Sequence, residues 1–116
     1  MNYNVLLIAL CLFLVTHSLV WFSVNLQFVS GEWADKSLLI TLVIGIPTSL
    51  AAYYASRYGY MALEESAWGV RFLGFGTSYL VFPILTWFLL GESMFTLKTT
   101  ICIFLSVLIL LIQIFM

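Results

Sequence analysis

Charge is in short supply in this sequence. Four of its 116 residues are Lys or Arg, five are Asp or Glu and one is His, so the charged share is 8%, against about 25% in an ordinary soluble domain. The net charge is −1 and no basic cluster occurs, which removes the electrostatic footprint of nucleic-acid binding. Cysteine is scarce too. Cys11 and Cys102 fall inside apolar runs with no ligand spacing around them, so they read as small core residues and say little about redox compartment. Catalytic constellations are missing: there is no paired intramembrane carboxylate, no HExxH and no phosphate loop. With one histidine and no acid in mid-span, catalysis inside a membrane would lack a base–orienter pair. The sequence implies no enzyme, no metal site and no cofactor. It leaves no room for a soluble domain and has no linker or low-complexity stretch.

What is present is apolar surface. The chain is 64% hydrophobic with a mean hydropathy of +1.15. A chain this short cannot hide that much apolar surface from water, because small domains have a high surface-to-volume ratio. Lipid must cover much of it, which makes this an integral membrane protein. A bilayer core needs about 20 apolar residues per helix, and four such runs occur: Val5 to about Val29, Leu38 to Ser56, Ala67 to Leu90, and Thr99 to Met116. The first lacks the basic leader and cleavage site of a signal peptide and is long enough to span, so it reads as a retained helix. Pro47 and Pro83 are expected to kink the second and third helices without ending them. The expected fold is an all-α, four-transmembrane-helix bundle, residues 1–116, assembled as a dimer or docked to another membrane protein.

Charged residues collect between the spans. Glu32, Asp35 and Lys36 lie in the first connection, Arg57, Glu64 and Glu65 in the second, Glu92 and Lys98 in the third. An even number of spans places both termini on one side with the second connection. That side carries Arg57, and Arg71 if it snorkels there; the opposite side carries Lys36 and Lys98. The positive-inside count is nearly even. Two arrangements satisfy it: dual topology with an antiparallel dimer, or an orientation imposed by a partner.

Polar residues of a membrane bundle are expected to face inward. On the first helix, His17, Ser18, Trp21 and Asn25 share a face. His17 stands near mid-span, where an imidazole can couple proton movement to binding or can be a neutral side chain hydrogen-bonded to a neighbouring helix. On the second, Thr41, Gly45, Thr48, Ser49, Ala52 and Ser56 share a face, and Gly45 with Ser49 forms a small-x-x-x-small pair suited to close packing. On the third, Arg71, Phe75, Ser78, Tyr79 and Phe82 lie on one side. Arg71 can snorkel, pair with Glu64 or Glu65, or face a cavity and hold an anionic or polar group through its planar fork. Pro83 leaves the Tyr79 carbonyl without its helical donor. Thr99, Cys102, Ser106 and Gln113 form a packing face on the fourth.

The stretch LTWFLLGESMFTLKTTICIFLSVLILLIQI resembles the end of a drug/metabolite transporter repeat: a long apolar helix, then Leu-Gly-Glu, a polar turn and a last apolar helix. SRYGYMALEESAW resembles the second loop of a small four-helix branch of that superfamily, whose Arg-x-Gly-Tyr element is Arg57, Gly59 and Tyr60 here. VWFSVNLQF, with Trp21, is similar to that branch as well. The resemblance implies a four-helix unit like a small multidrug-resistance protomer, working as a dimer, often antiparallel, around a pocket open alternately to each side. It also suggests a bacterial inner membrane. The sequence departs from the pattern in lacking a mid-helix glutamate on the first helix, where only His17 stands. The last helix carries Thr100 and Ser106 in place of packing glycines.

Two functions follow as expectations. One is a carrier for a polar or amphipathic small molecule, with a pocket lined by His17, Trp21, Asn25, Ser78 and Tyr79, Arg71 near its mouth, and any proton coupling through His17. The other is a non-transporting accessory subunit of a larger membrane complex, in which the 17% aromatic content packs against lipid or partner helices and Arg71 meets a lipid phosphate or a partner carboxylate.

Overall fold

The computed structural model describes residues 2–29 and 31–116. Four helices, α1 (Tyr3–Asn25), α2 (Glu32–Ala62), α3 (Ala67–Leu90) and α4 (Leu97–Phe115), are each long and apolar enough to cross a membrane. Their ends are set by local chemistry. Asn2 caps α1 by accepting from the backbone N–H groups of Asn4 and Val5 at 3.1 and 3.4 Å. Ser66 and Thr96 cap α3 and α4 through the N–H groups of Gly69 and Thr99 at 3.0 and 3.3 Å. Each satisfies a donor that a helix start leaves over. Gly91 closes α3 in the left-handed region, φ 73°, with its N–H on the Trp87 carbonyl at 3.1 Å, the conformation a residue without Cβ adopts at least cost.

Two apolar runs differ from the helices that contain them. The first expected span reaches about Val29, but α1 stops at Asn25 and the chain tightens into a 3-10 turn, Leu26–Phe28. The second starts at Glu32 rather than Leu38 and ends at Ala62 rather than Ser56. Apolar content marks what lipid can touch, whereas α2 extends past its apolar run at both ends. Glu32 and Asp35 in its first turn complement the helix dipole, and Lys36 lies 3.8 Å from Glu32 one turn on, an exposed pair worth little by itself. Pro47 and Pro83 both sit inside continuous helices.

Between α2 and α3 the chain reverses over Leu63–Ser66. Glu64 and Glu65 both take left-handed backbone, φ 57° and 60°, and the Glu65 N–H reaches back to the Tyr60 carbonyl at 2.9 Å. This is the Schellman closure, with glutamate where glycine is usual.

The helices pack as a thin slab, 46 × 36 × 19 Å, in the order α2, α1, α3, α4. Its accessible surface is 7741 Å², against about 6400 Å² for a compact soluble protein of this mass. α1 packs extensively on α2 and runs parallel to α3, setting Phe13, His17 and Trp21 against Gly74, Thr77 and Thr86, while α2 and α3 touch much less. The core is concentrated at the end that carries the termini: Leu6 and Phe13 of α1, Ala55 and Ala62 of α2, Leu63, Leu73 of α3 and Leu110 of α4. Small residues permit the approach, as expected where packing rather than hydrophobicity holds helices together. The Phe13 ring lies between two glycines: a Cβ on Gly59 would stand 3.5 Å from it and one on Gly74 3.1 Å.

Two packing expectations are corrected here. The close-packed small residues of α2 are Ala55, Gly59 and Ala62, not the Gly45–Ser49 pair; nothing lies within 4 Å of a Cβ placed on Gly45. Cys11 and Cys102 are exposed rather than in the core; Cys102 lines an open cleft between α3 and α4.

Candidate binding cleft

A cleft of about 340 Å³ opens between α2 and α3 over α1. α1 contributes Phe13, Thr16 and His17, α2 contributes Ala52 and Ser56, and α3 contributes Arg71, Phe75 and Ser78. Three residues expected from sequence, His17, Arg71 and Ser78, thus meet in one cleft.

His17 is half-buried and its Nε2 lies 3.1 Å from Thr77 Oγ1. Thr77 is fully buried, and its hydroxyl lies 2.8 Å from the Leu73 carbonyl and 3.0 Å from that of Gly74. A hydroxyl has one hydrogen. With that hydrogen given to the backbone, Thr77 accepts from Nε2–H of His17, and the neutral imidazole keeps Nδ1 as an acceptor. The Phe13 and His17 rings stack at 6.0 Å and 15°. The imidazole is thereby held by α3 on one edge and by an aromatic face on the other.

Arg71 is exposed at the lower end of the cleft, in the second turn of α3. It makes no ion pair among the described residues; the pairing with Glu64 or Glu65 offered by the sequence does not form. Ser78 donates back to the Phe75 carbonyl at 2.6 Å, leaving its oxygen free to accept.

A second cleft, about 540 Å³, lies further along the same stripe of α3 and is closed by the α3–α4 connection and the start of α4. Tyr79, Phe82, Pro83 and Thr86 form its α3 wall; Glu92 and Lys98 stand at its rim. Tyr79 belongs here rather than beside His17. Its ring packs 5.4 Å from that of Phe75, so an aromatic pair separates the two clefts. Trp21 lines neither. It is 2% exposed and donates its indole N–H to Thr86 Oγ1 at 3.0 Å, behind the wall of the second cleft. Asn25, at the end of α1, is half-buried, lines neither cleft and does not cap the following turn.

Two residues at the first cleft escape the sequence pattern. Thr16 donates to the Leu12 carbonyl at 2.7 Å and Thr77 receives His17. A threonine in an apolar run looks like filler, and only the spacing of Thr77 after Gly74 hints at a close approach. The groups present suit recognition: a guanidinium fork for an anion, an imidazole nitrogen and a serine oxygen that accept, and aromatic walls.

No family model matches the chain, and no curated protein or solved structure matches it. The resemblance to drug/metabolite transporter repeats therefore stands on the quoted residues alone.

Proposed function

We propose that the protein is a small membrane carrier of the drug/metabolite-transporter type, which takes a polar or amphipathic small molecule into the cleft between α1, α2 and α3. One observation carries this reading: His17, Ser78 and the unpaired Arg71 converge on a single opening inside an otherwise apolar slab. Ionisable groups at membrane depth are costly and tend to mark pathways. The second cleft, end to end with the first along α3 and divided from it by Phe75 and Tyr79, provides a continuation toward the other face. His17 is the group through which protons would be coupled. A slab 19 Å thick encloses little by itself, so the working unit is a homodimer, in a bacterial inner membrane. A second copy would close the open side.

The test uses accessibility and uptake together. In a background with Cys11 and Cys102 replaced by serine, Arg71→Cys is expected to react with a membrane-impermeant maleimide. A solute that reconstituted liposomes accumulate is expected to slow that reaction. Labelling that no accumulated solute slows would overturn the assignment of the cleft. His17→Ala is expected to remove the pH dependence of uptake across about pH 5 to 8; unchanged dependence would end its coupling role.

A second reading is favoured by α2. Its outward face exposes Leu38, Leu42, Val43, Ile46 and Leu50, and Gly45 on the same helix has open space above it, a surface another helix can approach closely. An accessory subunit would use it for a larger partner. Native mass spectrometry of the gently extracted protein separates the two: a homodimer supports the carrier, and a stable assembly with unrelated subunits supports the accessory role.

A further inference from the structure

We infer that the groove between α2 and α3 seats an amphiphile whose phosphate head carries net negative charge, held between Arg57 and Arg71. The inference rests on the cleft proposed above as the binding site and names the class of its ligand.

The cleft that contains Arg71 continues into a stretch of groove of about 610 Å³ that contains Arg57. The two share Ala52, Ser56 and Val70. Arg57 directly follows Ser56 on α2, and Arg71 directly follows Val70 on α3. One arginine therefore stands on each bank of a single groove. They hold equivalent heights, since Arg57 comes six residues before Leu63 and Arg71 five residues after Ser66. At a rise of 1.5 Å per residue that is about 8 Å above the turn; with the turn at the membrane surface, this is the depth at which lipid headgroups give way to hydrocarbon.

Half of the chain's Lys and Arg residues are thus in this groove, and both side chains are exposed. Neither makes an ion pair among the described residues. The nearest acids in sequence, Glu64 and Glu65, are held in the turn by its left-handed backbone. Two unpaired guanidinium groups on facing helices repel each other until an anion lies between them. Each planar fork presents parallel N–H donors that match phosphate oxygens two at a time. A carboxylate's two oxygens lie in one plane and suit one fork; a tetrahedral phosphate directs its free oxygens to different sides and can meet one arginine from each bank. The walls suit the rest of such a molecule. Ser49, Ala52 and Ser56 are small and leave room, and Tyr53 and Tyr60 line the groove at a height where phenols favour the membrane interface. The groove is open along its outer side, so an apolar tail can enter from lipid without crossing water.

The same chemistry can come from a membrane phospholipid or from a small soluble organophosphate, and the experiment separates them. Native mass spectrometry is run on the full-length protein with phosphatidylglycerol, with phosphatidylcholine, and with phosphatidylglycerol plus millimolar glycerol phosphate. Phosphatidylglycerol is expected to be retained and phosphatidylcholine released. Arg57→Gln and Arg71→Gln should each weaken retention about fivefold, from the usual worth of one basic residue at an anionic surface, and the double variant should abolish the preference. Arg57→Lys with Arg71→Lys keeps the charge, controls for folding and should retain part of the preference. Displacement by glycerol phosphate assigns the site to a soluble organophosphate; retention against it assigns the site to lipid. Equal retention of the two lipids, or a double Gln variant that still prefers phosphatidylglycerol, would overturn the inference. Its fate is separable from that of the carrier. Preference without uptake in liposomes removes the carrier and leaves a resident lipid site. Uptake that persists without lipid preference leaves the carrier and removes this site.

Discussion

His17 Nε2 on α1 and Thr77 Oγ1 on α3 are 3.1 Å apart, and the same hydroxyl reaches the Leu73 carbonyl at 2.8 Å. One buried threonine therefore ties the mid-span histidine to the backbone of a parallel helix. Thr77→Val keeps the shape and removes the acceptor. It should cost about 1–3 kcal/mol, the usual penalty for a buried donor left without a partner. Thr77→Ser should cost less. Unfolding by SDS titration in mixed micelles measures both, and a double variant with His17→Phe should cost less than the sum of the single changes if the pair is coupled as described.

Gly76 is where α4 comes closest to α3. A Cβ there would stand 2.5 Å from Leu110 Cγ and 3.3 Å from the Ser106 carbonyl. Gly76→Ala is expected to destabilise by about 1–3 kcal/mol through overpacking. Leu110→Ala in the same chain should recover part of the loss. Gly45→Ala, with nothing within 4 Å, should leave protomer stability unchanged or slightly raised, because alanine is the better helix former. If Gly45→Ala weakens self-association in analytical ultracentrifugation, this face of α2 is the dimer contact.

The turn between α2 and α3 holds Glu64 at φ 57° and Glu65 at φ 60°. Left-handed backbone costs a residue with a Cβ roughly 1–2 kcal/mol. Glu64→Gly removes that cost, and the greater freedom of glycine in the unfolded chain offsets part of the gain. A net stabilisation of up to about 1 kcal/mol is expected in the same SDS titration. Glu64→Val, β-branched and ill suited to this region, should destabilise.

Trp21 gives a spectroscopic check on the wall of the second cleft. Its indole N–H donates to Thr86 at 3.0 Å and the ring is buried. Thr86→Val should shift the Trp21 emission to the blue and cost about 1 kcal/mol of stability. The signal is read in a background where Trp33, Trp68 and Trp87 are replaced by phenylalanine. No change in emission would mean that the bond is not made in the membrane.

Much of the architecture is written in the apolar runs. The bilayer imposes one requirement on each span, about 20 residues without charge, and that requirement is visible residue by residue. Helix ends outside lipid obey a different rule. α2 reaches Glu32 and Ala62 because its polar ends satisfy a dipole and a turn, and neither leaves an apolar signature. Facing is harder to read. His17, Arg71 and Ser78 come together because a polar stripe on α1 and another on α3 meet at the same height, and the stripes themselves follow from helical spacing. Tyr79 lies about 100° around the helix from Ser78, enough to place it in the other cleft. Trp21 looks like a ligand-facing aromatic and is instead sealed against Thr86. The choice between Gly45–Ser49 and Ala55–Gly59–Ala62 as the packed face of α2 turns on where Phe13 points, a contact between residues 46 positions apart that no local pattern carries.

The position of α4 at the edge of the slab bears on how the protein is made. α1, α2 and α3 bury the Phe13 ring among themselves, and α4 adds itself to the outer side of α3 through Gly76 and Leu110. Synthesis runs in that order. The first cleft with Arg71 and the adjoining groove with Arg57 are lined by residues 13–78, all of which precede α4 in the chain. Translation thus delivers the lining of the cleft first and its flanking helix last, and a pause before α4 would leave the α3 flank briefly bare to lipid.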